Sequence, residues 1–126
     1  MYPPALLQAT LRAFLDEGHF ARHLRRMREI YAARREALES SLARHLGGLL
    51  HVPEIHAGLS TPAYLLDRRS SRDAADAATR HGLDVWALDR FALRRRDLRG
   101  LVLGFAAFTE RELRDAVVTL ARALDV

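Results

Sequence analysis

His19 and His23 have the spacing in this chain that most resembles a metal site. They stand four positions apart, so on a helix both imidazoles would lie on the same face. Zinc sites in proteins use three or four protein ligands, and no third ligand is obvious in the sequence. The spacing therefore predicts no metal site.

A hydrolytic site combines a nucleophile, a base and a carboxylate, and the chain has a residue type for each role. The candidates are Ser60, His81, Asp84 and Asp89. An α/β-hydrolase would carry its serine in a Gly-x-Ser-x-Gly turn, and this chain contains no such sequence. Caps and turns are the better explanation for Ser70, Ser71, Asp73 and Asp84. We therefore predict that the chain has no catalytic residue.

Lysine and cysteine are both absent, and all twenty basic residues are arginine. A chain without lysine can form no lysine Schiff base and no Walker-type phosphate site, and one without cysteine forms no disulfide. The net charge of +4 arises among sixteen acidic residues interleaved with the arginines, so no direct contact with nucleic acid is expected. The run Arg94–Arg96 is typical of a solvated loop, with an acidic partner as the alternative.

A single soluble, cytoplasmic domain is the expectation for these 126 residues. No apolar run reaches the roughly 20 residues that span a membrane. Met1 is followed by Tyr2-Pro3-Pro4 rather than by the basic and apolar regions of a signal peptide.

A long helix over His19–Leu46 is the element around which the chain is organised. The segment has no proline or internal glycine, and its apolar residues recur at helical spacing. At 1.5 Å per residue it is roughly 40 Å long, so we expect part of it to meet a partner that the chain does not contain. The interface candidates are His23, Met27, Tyr31 and Arg34, with the alternative that Arg34 packs along the helix and pairs with an acid.

The remaining elements predict an α+β fold. A first helix follows Pro3-Pro4, and residues 48–126 form a two-layer sandwich in which helices cover one face of a small, mostly antiparallel sheet. Residues 1–47 are then linking helices. Trp86 is expected in the core or at a subunit interface. The predicted strands are Leu49–Val52, Leu59–Asp67 (with Pro62 at an edge or bulge), Leu83–Leu88 and a central Leu101–Ala107; the predicted helices are Arg72–His81 and Glu110–Leu124, the latter with a Thr109–Glu112 capping box.

Several motifs along the chain match one family. They are Gly18-His19-Phe20, HLRRMR at 23–28, Tyr31, RREAL at 34–38, Ala57-Gly58-Leu59, HGLDV at 81–85 and LVLGFA at 101–106. Together they resemble the MocR subfamily of GntR-type transcriptional regulators, which carry an aminotransferase-like domain of PLP fold type I. The resemblance covers essentially the whole chain.

The resemblance places this chain at the C-terminal end of such a protein, as the aminotransferase-like small domain. It implies that a parent protein holds pyridoxal 5'-phosphate (PLP) through a lysine of its large domain and binds DNA through a winged helix-turn-helix. This chain would then hold no cofactor, and its partners would be the large domain or the second subunit of a homodimer. No membrane partner is expected.

Two departures from the family pattern concern the effector side of the cleft. Ser60 stands where the family often has histidine, and Val102 stands where related aminotransferases carry an arginine that binds the substrate carboxylate. The loss of that arginine favours a regulator. The alternatives are the small domain of a class I/II PLP-dependent aminotransferase and a free-standing interaction module.

Overall fold

The computed structural model describes residues 18–53, 58–90 and 98–126. The predicted first helix and the Arg94–Arg96 run lie outside the described residues. The chain divides into two compact units, Met1–Ala32 and Ala33–Val126. The organisation expected from the sequence, one domain in which residues 1–47 are linking helices, stays a prediction.

Helix α1 spans His19–Leu46, the bounds predicted from the sequence. Gly18 precedes it with a φ of 73°, and Gly47-Gly48 follows it. In the second unit the helix buries Leu38 and Leu42, whereas Phe20 and Leu24 in the first unit are 39% and 37% exposed. The predicted apolar stripe is therefore buried only in its C-terminal half.

The sheet has four antiparallel strands in the order β1-β2-β4-β3. The predicted pairing of the first two strands is confirmed. The strand predicted over Leu101–Ala107 is an inner strand as expected, but it spans Gly100–Gly104. The third strand is shorter than predicted, because the chain turns into a 3-10 helix at Leu88–Arg90. The strands are β1 Leu50–His51, β2 Ser60–Leu65, β3 Trp86–Ala87 and β4 Gly100–Gly104.

Pro62 lies in β2, an inner strand, and not in an edge strand. Leu65 and Leu59 direct their backbone groups to β4, since the Leu65 N–H donates to the Arg99 carbonyl at 2.7 Å and the Leu59 carbonyl accepts from Phe105 at 3.0 Å. Successive residues of a strand direct their backbone N–H and C=O groups to opposite neighbouring strands, so the nitrogen of Pro62 points toward β1. β1 ends at His51, opposite Tyr64, so the missing N–H of the proline disrupts no ladder bond.

Helices α2, Ser71–Arg80, and α3, Glu110–Ala123, begin at the predicted caps. The Ser70 hydroxyl accepts from the Asp73 N–H at 3.0 Å. At α3 the Thr109 hydroxyl accepts from the Glu112 N–H at 3.1 Å, and the Glu112 carboxylate accepts from the Thr109 N–H at 2.9 Å. These bonds satisfy backbone donors that a helix start otherwise leaves unpaired.

One face of the sheet carries the core of the second unit. Along β2, Thr61, Ala63 and Leu65 are buried, and their partners Leu103 and Leu101 on β4 are buried with them. The C-terminal half of α1 together with α2 and α3 contributes the other side of this core, including the predicted stripe Leu113, Val117, Leu120 and Leu124. The fold is the predicted α+β sandwich. None of the helices in the described ranges combines the length and apolar character needed to cross a bilayer.

Candidate functional site

Among the described residues of the second unit, no helix packs on the second face of the sheet. Side chains on a strand alternate between faces, so the residues between the buried ones point to this side. We call the surface that they form the open face. Its side chains are exposed or half-buried, and they are His51, Ser60, Pro62, Tyr64, Trp86 and Val102.

Val102 lies at the centre of the open face. The register pairs it with Pro62 on β2 and with Trp86 on β3, so three apolar side chains form one row across three strands. Val102 is half-buried and has no charge or hydrogen-bonding group. The centre of this face can therefore contact a ligand or a protein surface by packing, but it cannot bind a carboxylate by a bidentate fork.

Ser60 lies on the same face at the start of β2, opposite Gly104. It is therefore a diagonal neighbour of Val102, at the spacing of about 7–8 Å expected for such pairs. The register thus brings together the two residues that the sequence resemblance places on the effector side. Their role in binding an effector stays a prediction.

Trp86 lies on the open face with 47% of its surface exposed. Of the two expected places for Trp86, the core is therefore wrong, because its pairing with Val102 puts it on the open face. The other, a subunit interface, stays a prediction. The Arg90 guanidinium carbon lies 4.9 Å from the centroid of the Trp86 ring, within cation–π range. Sequence reasoning missed Arg90, because the sequence predicts no helical turn after Leu88 that would bring Arg90 back to Trp86.

His51 and Tyr64 occupy the opposite side of the open face. They pair directly across β1 and β2, with ring centroids 6.5 Å apart and an angle of 22° between the ring planes. This stacked pair and Trp86 give the open face an aromatic group on each side of the Pro62–Val102 row.

Arg34 is the interface candidate whose contacts are best defined. Its guanidinium donates a hydrogen bond to the backbone carbonyl of Ala106, just after β4. Its positive charge also contributes to lowering the pKa of Glu112, after the larger effects of the Thr109 backbone and side-chain hydrogen bonds. Arg34 thus links α1 to the start of α3 within the second unit.

The other interface candidates lie in the first unit. His23 is exposed, and Met27 and Tyr31 are half-buried. A shallow cleft of ≈ 450 Å³ on this part of α1 is lined by His19, Arg22, His23 and Arg26. This surface is strongly basic, and whether it meets a second subunit stays a prediction.

The residues considered for metal and hydrolytic chemistry do not form one cluster. Within residues 18–53, 58–90 and 98–126, no group of three or more His, Asp or Glu side chains could hold a metal ion. Asp84 and Asp89 line one cleft, but neither Ser60 nor His81 lines it. The His81 ring nitrogen instead lies 3.0 Å from the Ala77 carbonyl, at the end of α2.

PLP is the cofactor that the family resemblance implies, and the residues of this chain do not fit it alone. The sequence has no lysine to bind the aldehyde. The centre of the open face offers aliphatic and aromatic side chains rather than the hydrogen-bond donors that a phosphate requires. We therefore derive no chemical step through PLP from this chain.

Comparisons with known sequences find similarity to part of two regulators. The chain is 34% identical over 122 residues to the probable rhizopine catabolism regulatory protein MocR of Rhizobium meliloti, covering 97% of this chain and 25% of that protein. It is 23% identical over 116 residues to the uncharacterized HTH-type transcriptional regulator YhdI of Bacillus subtilis, covering 92% of this chain and 25% of that protein. The chain thus spans about a quarter of the length of these relatives. No family model matches it.

Solved structures with the same fold are aminotransferases. Kynurenine aminotransferase of Pyrococcus horikoshii superposes with a TM-score of 0.78 at 20% identity, over 89% of this chain and 28% of that one. LysN, the α-aminoadipate aminotransferase of Thermus thermophilus, gives 0.77 at 22% identity, over 91% and 29%. At such identities the likeness shows the fold alone. The predicted resemblance is confirmed: the sequence is similar to that of a MocR regulator, and the fold is similar to that of part of an aminotransferase.

Proposed function

We propose that this chain is the C-terminal part of a MocR-type regulator and that its open face closes the effector and cofactor cleft of the parent protein. The observation that carries the proposal is that no helix in the described part of the second unit covers this sheet face, which has Val102 at its centre. A two-layer domain that leaves one face apolar and uncovered fits a third layer supplied by other protein. The large domain of the parent is the layer that fits.

The chemistry of the open face suits recognition rather than catalysis. Ser60 offers one hydroxyl, which can donate and accept a hydrogen bond, and Val102 offers only apolar contact. In the parent, PLP would be held by a lysine outside this chain. The residues described here would shape the cleft and exclude water from it.

The alternative function is that of the small domain of a PLP-dependent aminotransferase. The fold of the solved neighbours favours this class as much as a regulator. Val102 argues against it, because a valine gives a substrate carboxylate no charge to bind. We therefore assign no enzymatic activity to this chain.

The remaining parts of the proposal concern partners. The large domain and a second subunit of a homodimer are the partners, and His23, Met27, Tyr31 and Arg34 are the residues expected to contribute on α1. We place the protein in the cytoplasm, where a transcriptional regulator works, and assign DNA contact to another part of the parent.

Two measurements test the proposal. Sequencing the DNA upstream of Met1 should show an in-frame continuation that encodes a PLP-binding lysine and a winged helix-turn-helix. Hydroxyl-radical footprinting of the parent should then show Trp86 protected relative to the isolated 126-residue chain. Phe108 is the matched control, because it has the same exposed fraction of 47% and lines a groove on the helix side of the sheet.

Either of two results would contradict the proposal. A stop codon directly upstream of Met1, together with a promoter, would leave a free-standing module. Equal labelling of Trp86 in the parent and in the isolated chain would show that the open face meets no other layer.

A further inference from the structure

An apolar groove opens on the helix side of the sheet, and all the residues that line it belong to the second unit. It has a volume of ≈ 370 Å³, within the range of about 300–1,000 Å³ that is typical of small-molecule sites. Side chains of the hydrophobic core form its inner wall, and none of them is more than 4% exposed. They are Leu38, Leu103, Leu113, Val117 and Leu120. A molecule in this groove therefore contacts the core itself.

The rim of the groove carries one charge, and this charge is negative. Asp84 is the only charged residue among the described residues that line the groove, and it is exposed. Phe108 lines the same groove with 47% of its surface exposed, so it presents an aromatic ring to a bound molecule. A carboxylate attracts a cation and repels an anion, and the face of an aromatic ring also attracts a cation. The charge complementarity of the rim therefore favours a ligand with a single positive charge.

The backbone of Gly104 adds a hydrogen-bond acceptor at the rim. Arg99 and Phe105 bond to the β2 side, so alternation along β4 directs the N–H and C=O groups of Gly104 to the opposite side, toward β3. β3 begins at Trp86, two residues short of Gly104 in the register. Among the described residues, no backbone hydrogen bond pairs Gly104 on this side. Its carbonyl oxygen is therefore available to a ligand, and the partial negative charge of this oxygen adds to the charge of Asp84.

We propose that this groove binds a small organic cation with an apolar body, of the alkylated ammonium class. The alkyl groups contact the buried side chains of the inner wall, and the positive charge lies at the rim with Asp84 and Phe108. An alkylated ammonium group suits this place because its nitrogen is surrounded by apolar carbon, so that few or no hydrogen-bond donors are left unpaired against the apolar wall. The site lies within this chain alone and does not depend on the proposed function.

Choline and two molecules of similar shape test the requirement for a positive charge. In 3,3-dimethyl-1-butanol a carbon atom replaces the quaternary nitrogen of choline, so the molecule is neutral, and 3,3-dimethylbutanoate carries a negative charge. Each is titrated at constant ionic strength into the full ¹⁵N-labelled chain, and the Gly104 amide resonance reports binding. Choline should shift this resonance saturably, with a midpoint at least about fivefold below that of the neutral alcohol. The anion should give no saturable shift.

Gly100 provides an internal control for these titrations. It lies in the same strand as Gly104 but does not line the groove. Its amide resonance should therefore stay in place while that of Gly104 shifts. Equal shifts of both resonances would show that choline acts on the whole chain rather than in the groove, and this would overturn the proposal.

Asp84→Asn removes the charge at the rim and keeps the shape of the side chain. It should raise the choline midpoint by about threefold or more and change that of the neutral alcohol by less than about twofold. Asp115→Asn is the matched control, because Asp115 is an exposed residue of α3 that does not line the groove. It should change both midpoints by less than about twofold.

Phe108→Leu separates the aromatic contribution from simple apolar contact. Leucine keeps an apolar side chain at the mouth of the groove but has no ring, so this variant should weaken choline binding more than binding of the neutral alcohol. The proposal is overturned if choline gives no saturable shift, if choline and the neutral alcohol give the same midpoint, or if Asp84→Asn titrates like the unaltered chain. Tighter binding of the alcohol than of choline would likewise overturn it, since the groove would then select an uncharged ligand.

Discussion

Gly100 and Ala63 lie so close across β4 and β2 that no side chain fits between them. A Cβ atom on Gly100 would stand 2.2 Å from the Ala63 carbonyl oxygen, and backbone atoms cannot move aside as a flexible side chain can. Ala63 is fully buried in the core face of β2. The pairing of the two central strands, and with it the open face, therefore depends on glycine at this position.

Gly100→Ala should lower the free energy of unfolding by about 3 kcal/mol, because the two strands must separate locally or shift in register. Urea unfolding followed by circular dichroism measures this. Gly104→Ala is the matched control, since Gly104 lies in the same strand with nothing within 4 Å of an added Cβ. That control should leave stability unchanged or raise it by up to about 1 kcal/mol. Equal effects of the two substitutions would refute the close approach.

Thr109→Ala removes one side of the capping box at the start of α3. The Glu112 N–H loses its partner, and the loss should be about 1 kcal/mol of unfolding free energy. Thr119→Ala in the same helix is the control, because the Thr119 hydroxyl only donates back to the Asp115 carbonyl at 3.1 Å. Alanine is the better helix former there, so thermal melts should show no destabilisation. A melting temperature unaltered by Thr109→Ala would contradict the assigned start of the helix.

The same capping box predicts a dependence of stability on pH. Hydrogen bonds from the backbone and side chain of Thr109 lower the pKa of Glu112. A carboxylate with a lower pKa in the folded state stabilises that state above its unfolded pKa of about 4.3, and this contribution is lost as the pH falls through the folded pKa.

Glu112→Gln should therefore cost most near neutral pH, and the difference from the unaltered chain should shrink as the pH falls from about 6 to 3. Unfolding in urea at a series of pH values gives this difference. Glu110→Gln provides the comparison, since Glu110 is an exposed residue of the same helix turn and its contact with Arg114 is long, at 3.9 Å. A cost of Glu112→Gln that is constant across this range would rule out the proposed source of stability.

The sequence predicts the helices of this fold better than its strands, and the reason is physical. Glycines that end a helix and serines or threonines that cap one are local signals in the sequence. As a result α1 begins at His19 and ends at Leu46 as expected, and Thr109 caps α3. The length of β3 depends instead on pairing with β4, which no local signal carries. For that reason the sequence predicts a strand that includes Leu88, whereas the structure has this residue in a 3-10 helix.

The open face was predictable only in part. The resemblance to a family indicated Ser60 and Val102, and alternation along the strands then places them on one surface. The position of Trp86 was not predictable, since all residues of Val85–Leu88 are apolar and no polar partner marks the outer face. The Arg90–Trp86 contact depends on a turn into a 3-10 helix that follows from tertiary packing.

Arg34→Ala tests which of two roles this residue has. The guanidinium donates to the Ala106 carbonyl, and a hydrogen bond from a charged donor is worth about 1.5–3 kcal/mol. Denaturation should therefore show a loss of this size. The exposed Arg28 of the same helix is the matched control, and Arg28→Ala should change stability by less than about 0.5 kcal/mol.

Analytical ultracentrifugation of the same variants separates the fold from the interface. If Arg34 acts only within the second unit, Arg34→Ala lowers stability and leaves the oligomeric state unchanged, because the lost bond joins two parts of one chain. If Arg34 also meets a second subunit, the variant weakens association at concentrations where it remains folded. If Arg34→Ala were as stable as the unaltered chain, the hydrogen bond from Arg34 to the Ala106 carbonyl would be contradicted. Arg34 would then not link α1 to the segment after β4.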